Sequence, residues 1–240
     1  SSLVVNLGLA AVSVSGTGAL QLVAASEEGE GRDLDGDGDE TGVVLQILDL
    51  ERGSLANTGL AFPRRLPFDH DPPIRSGSNG SFAVFQVSEA ETGRDLDEDG
   101  ILGEVTTWTF DRRTGALTNL LSVHGGLAFG DDLAGFFTHD AANEVLNVFD
   151  GRDGSLTTLP VEPAVLLAPS TLLAVQGTTV AFTRDEAGVL DLNADGDASD
   201  FAVLHLYDAD SRRVVNTSFA ISPANLTIQD GFAGCAVPES

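Results

Sequence analysis

The segment VVLQILD, residues 43–49, ends in Asp49, with Gly53 four residues further on and Asn57 eight residues further on. The same spacing recurs three times. TTWTFD ends at Asp111 before Gly115 and Asn119, EVLNVFD at Asp150 before Gly154 and Thr158, and AVLHLYD at Asp208 before Arg212 and Asn216. Apolar residues alternate on both sides of each turn, so each copy predicts two strands joined in a hairpin. The Asp and the Gly serve the turn between them.

Upstream of each hairpin lies another strand: LQLVAAS to Ser26, FAVFQVS to Ser88, AGFFT to Thr138 and TVAFT to Thr183. A weaker strand precedes it, ending near Gly16, Gly77, Gly130 and Gly177. Four strands per repeat, a to d in chain order, make the blade of a β-propeller. The expected fold is therefore all-β, a single propeller domain over residues 1–240. Its repeats are expected at about 11–60, 72–123, 126–161 and 171–221. A split fifth copy takes strand d from residues 1–10, with Asn6 in the place of Asn57, and strands a and b from residues 224–240. Glu239 aligns there with Glu27 and Glu89, and no strand c is present for this copy. Two readings stay open. The terminal strands close a five-bladed ring with one incomplete blade, or the chain is an excerpt of a longer propeller. The start at Ser1, with no initiator Met, fits a processed or excised chain.

The repeat of an apolar strand, Ser-Glu, a loop, VLxxxD, a Gly-containing turn and xxTNL resembles the propellers of the tricorn and Tol-associated type. The Trp-Asp pairs of WD-repeat propellers are missing, since the one tryptophan, Trp108, lies inside strand c. The resemblance implies a scaffold and leaves activity open.

Acidic charge is concentrated. The chain has a net charge of −25, all 12 basic residues are Arg, and windows 27–40, 89–104 and 185–200 carry −19 of that total. Like charge at this density opposes folding unless something neutralises it. The windows occupy the b–c connection of three repeats and read DLDGDGDE (33–40), DLDEDG (95–100) and DLNADGDASD (191–200). Oxygen side chains stand at positions 1, 3 and 5 and Gly at position 6. These loops resemble EF-hand and integrin-type calcium loops, in which carboxylates bend round one ion and the Gly permits a sharp turn. The resemblance implies about three Ca²⁺ sites. Their ligands would come from Asp33, Asp35, Asp37 and Asp39; from Asp95, Asp97 and Asp99; and from Asp191, Asn193, Asp195 and Asp197. The bidentate Glu of an EF-hand at position 12 is replaced by Val44, Thr106 or Ala202. Glu104 and Asp200, at position 10, are substitutes, as are Glu27, Glu89 and Asp185, each six residues before its loop. Oxygen donors suit a hard cation, whereas zinc or copper would want His or Cys. The alternative reading is a solvated acidic loop.

The charge excludes a phosphate-binding surface, so no nucleic acid partner is expected. No apolar run approaches the ~20 residues of a membrane span, so no insertion is expected. Cys235 is the one cysteine, which excludes an internal disulfide. No nucleophile elbow, phosphate loop or dinucleotide fingerprint occurs. His205 alternates within a strand and reads as structural, His124 and His139 as loop residues, and His70 lies beside Asp69 and Asp71 in a proline-containing loop. The pairs Arg112-Arg113 and Arg212-Arg213 fall at hairpin turns and are expected to be solvated. Three functions follow. The first is an extracellular or cell-surface calcium-binding scaffold with a protein or glycan ligand, the periplasm being the alternative location. The second is a calcium-dependent lactonase- or phosphoesterase-like hydrolase. The third is a subunit of a surface layer or filament that self-assembles through the incomplete blade. The first is preferred, and no catalytic residue is assigned.

Overall fold

Period-two alternation makes each repeat a set of strands with one apolar face, and burial of that face against the next sheet defines the core. The structure, a computed structural model, describes residues 6–16, 18–63, 76–78, 80–140, 143–160, 173–186, 190–200, 202–221, 226–229 and 232–235. The chain divides into two units, Ser1–Ser122 and Val123–Ser240.

In the first unit, β1 (Ala11–Ser15), β2 (Leu20–Ser26), β3 (Val43–Asp49) and β4 (Ser54–Ala61) form an antiparallel sheet in that order. A one-turn helix, α1 (Glu27–Glu30), follows β2. The next strands are β5 (Ser76–Ser78), β6 (Phe82–Ser88), β7 (Val105–Asp111) and the first half of β8 (Ala116–Phe129), with α2 (Glu89–Thr92) after β6. Leu20 and Leu22 of β2, Leu45 and Ile47 of β3, and Leu60 pack against Ala83, Phe85 and Val87 of β6. The i, i+2 spacing within each strand puts these side chains on one face. Burying each large one contributes about 1.5–3 kcal/mol.

In the second unit, the latter half of β8 pairs with β9 (Leu133–Asp140), then β10 (Asn143–Asp150) and β11 (Ser155–Pro160). A second four-stranded sheet holds β12 (Leu173–Gln176), β13 (Thr179–Arg184), β14 (Val203–Asp208) and β15 (Arg213–Ala220), and β16 (Leu226–Gln229) pairs with β17 (Phe232–Cys235). Leu133, Phe137, Leu146 and Val148 pack against Val180, Phe182 and Tyr207. On the far face, Ala181, Leu204 and Ile221 meet Leu226 and Ile228 of the last hairpin.

The four predicted hairpins have one register. Gln46 stands opposite Asn57, Trp108 opposite Asn119, Asn147 opposite Thr158 and His205 opposite Asn216. The turn Asp works as expected: Asp49 Oδ1 accepts from the Glu51 and Arg52 N–H groups, and Asp111, Asp150 and Asp208 do likewise for Arg113, Arg152 and Ser211. At the turn glycine position Gly53 has φ 62° and Gly115 φ 73°, and Arg212 takes φ 53° in the last copy without that freedom.

Four expectations of the fold need revision. His124 and His139, read as loop residues, fall within the strands β8 and β9. Separate strands were expected on either side of residues 123–126, but β8 runs unbroken through them and serves β7 with one half and β9 with the other. The predicted strand at residues 1–10 lies partly outside the described residues, and its described part, 6–10, is not a strand. Arg113 is exposed as expected, but Arg112 is not solvated, because its guanidinium is fixed on Asp49. The hairpin of β16 and β17 falls where strands a and b of the fifth copy were placed, while Glu239 and His70 lie outside the described residues. No helix among the described residues is long and apolar enough to cross a membrane.

Candidate metal centres

Each acidic loop begins where a b strand ends. Ser26 and Ser88 leave β2 and β6 in extended conformation, and each hydroxyl accepts from the N–H three residues on, capping one helical turn. Gly31 and Gly93 close those turns with φ near 64° and 65°. The first helical residue is a Glu that is completely buried, Glu27 in one loop and Glu89 in the other.

These glutamates organise the loops. Glu27 Oε1 accepts from Leu34 N (2.5 Å) and Asp35 N (3.3 Å), and Oε2 from Gly42 N (2.6 Å). Glu89 Oε1 accepts from Leu96 N (2.7 Å) and Asp97 N (3.3 Å). In the third loop the same bonds reach Glu186: Oε1 accepts from Leu192 N (2.6 Å) and Asn193 N (3.2 Å), and Oε2 from Asp200 N (3.2 Å). A backbone bond closes all three loops alike, from Glu27 N to Gly42 O, Glu89 N to Glu104 O and Glu186 N to Asp200 O. The six-residue offset pointed to Asp185. The structure puts Glu186 in that place: the stretch from this Glu to the position-1 Asp is five residues here, against six from Glu27 to Asp33 and from Glu89 to Asp95, and its carboxylate reaches the loop amides.

Within the loops, carboxylates accept from the N–H two residues on, in runs of Asx turns. Asp35 accepts from Asp37, Asp37 from Asp39 and Asp39 from Thr41. Asp97 and Asp99 repeat this in the second loop, and Asn193, Asp195 and Asp197 in the third. The position-1 carboxylates reach further, Asp33 to Gly36 and Gly38, Asp95 to Gly100 and Asp191 to Asp195 and Gly196. Gly38, Gly100 and Gly196 at position 6 all have φ between 90° and 103°, a conformation that a side chain rarely adopts.

This folding gathers oxygens. One carboxylate oxygen each from Glu27, Asp33 and Asp35 lies within 4.8 Å of the others, as do those of Glu89, Asp95 and Asp97, and of Asp97, Asp99 and Glu104. Asp35 Oδ2, Glu89 Oε2 and Asp95 Oδ1 are buried with no hydrogen-bond partner. Burial pushes the Asp35 carboxyl up to about 6, aided by the charges of Glu27, Asp37 and Asp33. Burial also raises Asp97, with Asp99 adding to it, and raises Asp200, with Glu186 adding to it. Ionised oxygens this crowded and desolvated are stabilised by a cation. In the third loop Asn193 replaces the Asp at position 3, and its Nδ2 donates to Asp195 Oδ2 and Asp200 Oδ2.

A further residue set emerged only in three dimensions. Asn57, Asn119 and Asn216 of the d strands each donate Nδ2 to the carbonyl of the position-2 leucine, Leu34, Leu96 and Leu192, at 2.7–2.8 Å. The repeat with a short b–c connection has Thr158 there, whose hydroxyl bonds Asn147 Oδ1 instead. The signal was in the sequence, as Asn where the loop is long and Thr where it is short. His205, read as structural, is buried on β14 and stacks on Phe182 with centroids 5.5 Å apart, and desolvation lowers its pKa below the ordinary imidazole value.

No protein-family model and no curated protein sequence matches the chain. Among solved structures it is similar to TolB from Acinetobacter baumannii, with 12% identity and a TM-score of 0.35, covering 85% of this chain and 42% of that one. It is similar to lmo1340 from Listeria monocytogenes, with 8% identity and a TM-score of 0.42, covering 91% of this chain and 58% of that one. It is also similar to the β-propeller domain of the Trilobed protease from Pyrococcus furiosus, which has an open velcro topology, with 10% identity and a TM-score of 0.35, covering 97% of this chain and 78% of that one. The chain spans less than two thirds of the first two proteins.

Proposed function

We propose that the chain is a β-propeller-type module held by about three calcium ions, acting outside the cytoplasm as a binding or structural scaffold. The observation that carries the metal reading is the set of buried, unpartnered carboxylate oxygens, Asp35 Oδ2, Glu89 Oε2 and Asp95 Oδ1, facing other carboxylates in loops of matching design. Leaving ionised oxygens desolvated costs several kcal/mol each, and a hard dication with room for many oxygen ligands offsets that cost. Magnesium demands a tighter octahedral shell and suits such a multidentate cage less well. The third loop, with one carboxylate replaced by Asn193, is the weakest site of this set. The propeller reading is supported by the antiparallel a–b–c–d order and by face-to-face packing of successive sheets within each unit. Millimolar calcium outside the cytoplasm fills sites with Kd on the order of 10⁻⁴–10⁻³ M. The partner is a protein or glycan rather than a nucleic acid, given the charge of −25.

The test is isothermal titration of chelator-treated protein with calcium chloride, followed by thermal unfolding with and without calcium. Saturable binding and a rise in melting temperature are expected. Calcium at a hundredfold above Kd adds about 2.7 kcal/mol per site. No heat of binding, with an unfolding curve indifferent to chelator, overturns the reading.

A further inference from the structure

We propose that the two acidic loops of the first unit bind calcium as a coupled pair, joined by a hydrogen-bonded relay through Asn57, Gly59 and Arg94. The inference rests on the calcium reading above and concerns how those sites regulate one another.

The relay is continuous. Leu34 O, inside the first loop, accepts from Asn57 Nδ2 at 2.7 Å. Asn57 Oδ1 accepts from Gly59 N at 3.0 Å. Gly59 O accepts from Arg94 Nη2, and Arg94 is the residue immediately before Asp95, position 1 of the second loop. Both loops come together at Gly59: a Cβ there would be in ordinary contact with Arg94 Nη2 at 3.7 Å and Asp35 O at 3.9 Å, and the backbone has φ 63°.

Two more contacts run beside it. Thr92 is fully buried at the end of α2; its hydroxyl donates to Ser88 O (2.7 Å) and accepts from Ala61 N (3.0 Å) at the end of β4. Gly93 abuts the first loop directly: a Cβ there would stand 2.9 Å from Asp37 Cβ and 3.6 Å from Asp37 Cα. The position-5 residue of one loop, Asp37, therefore packs through its Cα and Cβ on the backbone that leads into the other.

An ion that fixes Asp33, Asp35 and Asp37 also fixes Leu34 O and the wall against Gly93. The segment carrying Arg94 and Asp95 is then ordered before its own ion arrives. Ordering that has already been spent on the first ion is not spent again on the second, which is positive coupling without a large structural change. Coupling of this kind changes affinity about fivefold or more, and it acts equally in both directions.

Trp108 gives a local readout of the second loop. It is the one tryptophan, it stands opposite Asn119, and Asn119 holds Leu96 O of that loop. Calcium titrations of the whole chain followed by its fluorescence are run on the wild type, Asp35→Asn, Arg94→Gln and the double variant. Asp35→Asn is expected to weaken the second loop about fivefold. In the Arg94→Gln background that effect is expected to shrink to less than about half in logarithmic terms. Arg94→Gln alone should also weaken the second loop, although it removes a positive charge beside it; simple charge repulsion predicts the opposite sign. Arg94 is exposed, so this variant keeps the test alive if Asp35→Asn does not fold. An unchanged Trp108 midpoint in Asp35→Asn, or a tighter one in Arg94→Gln, overturns the coupling while leaving the calcium sites standing. A wild-type chain that takes up no calcium overturns the calcium reading itself, and this inference with it.

Discussion

Arg112, in the turn after β7, holds Asp49, at the end of β3, with two parallel bonds: Nε to Oδ2 at 2.7 Å and Nη2 to Oδ1 at 2.9 Å. Nη2 also donates to Glu51 Oε2 and Nη1 to Gly80 O, so the guanidinium ties one hairpin turn to its neighbour within the first unit. The carboxylate it grips is buried and already accepts two backbone N–H bonds.

This pair makes stability depend on acid. The Arg112 bonds hold the Asp49 carboxyl down at about 2, against an ordinary value of 3.8. A carboxyl with a lowered folded pKa stabilises the fold fully above its unfolded pKa and loses that contribution as the pH falls through its folded pKa. Between pH 4 and pH 2 the wild type should therefore lose stability that Asp49→Asn does not lose. Urea denaturation across that window in both proteins checks it. At neutral pH Asp49→Ala should cost roughly 2 kcal/mol, from the lost charge-assisted bonds.

Thr107 offers a stabilising change. It is completely buried on β7 and its hydroxyl has no partner, whereas the matching residue of the other c strands is Leu45, Leu146 or Leu204. Thr107→Val removes an orphaned polar group at nearly constant shape and should add about 1 kcal/mol. An unchanged or lowered urea midpoint would count against the assignment of that hydroxyl.

Arg212 stands where three other turns have Gly, and it adopts φ 53°. Arg212→Gly relieves left-handed backbone strain and should raise stability by about 0.5 kcal/mol after the entropy of the unfolded glycine is counted. A melting temperature unchanged or lower in the variant would show that the turn tolerates Arg without strain.

Asn119 should matter to metal binding without touching the metal. Its Nδ2 donates to Leu96 O and so holds the second loop on β8. Asn119→Ala should weaken calcium binding at that loop about tenfold, in the range found when groups that orient metal ligands are removed. Thr158→Ala, in the repeat with the short connection, should leave all calcium affinities as they were.

The repeat itself was legible along the chain. Alternation and the constant Asp-to-Asn spacing predicted the four hairpins, whose shared turn length sets the common register with Gln46 opposite Asn57 and His205 opposite Asn216. Both are local properties, set by strand pleat and turn length. The acidic loops were legible for the same reason, since their Asx turns and position-6 glycines depend on near neighbours in sequence.

What the chain alone could not decide were side-chain reach within a loop and contacts between residues far apart along it. The choice of Glu186 over Asp185 depended on which side chain reaches the amides of Leu192 and Asn193. The continuity of β8 depended on pairing at each of its halves with different strands. Arg112 read as a solvated turn residue, because its partner Asp49 lies 63 positions away. The sequence determined the strands, their turns and the acidic loops, all built from short-range geometry and local hydrogen bonds. Only the tertiary structure decided which loop carboxylates are buried together and that Arg112 holds Asp49, because burial and long-range charge pairing depend on how the sheets pack.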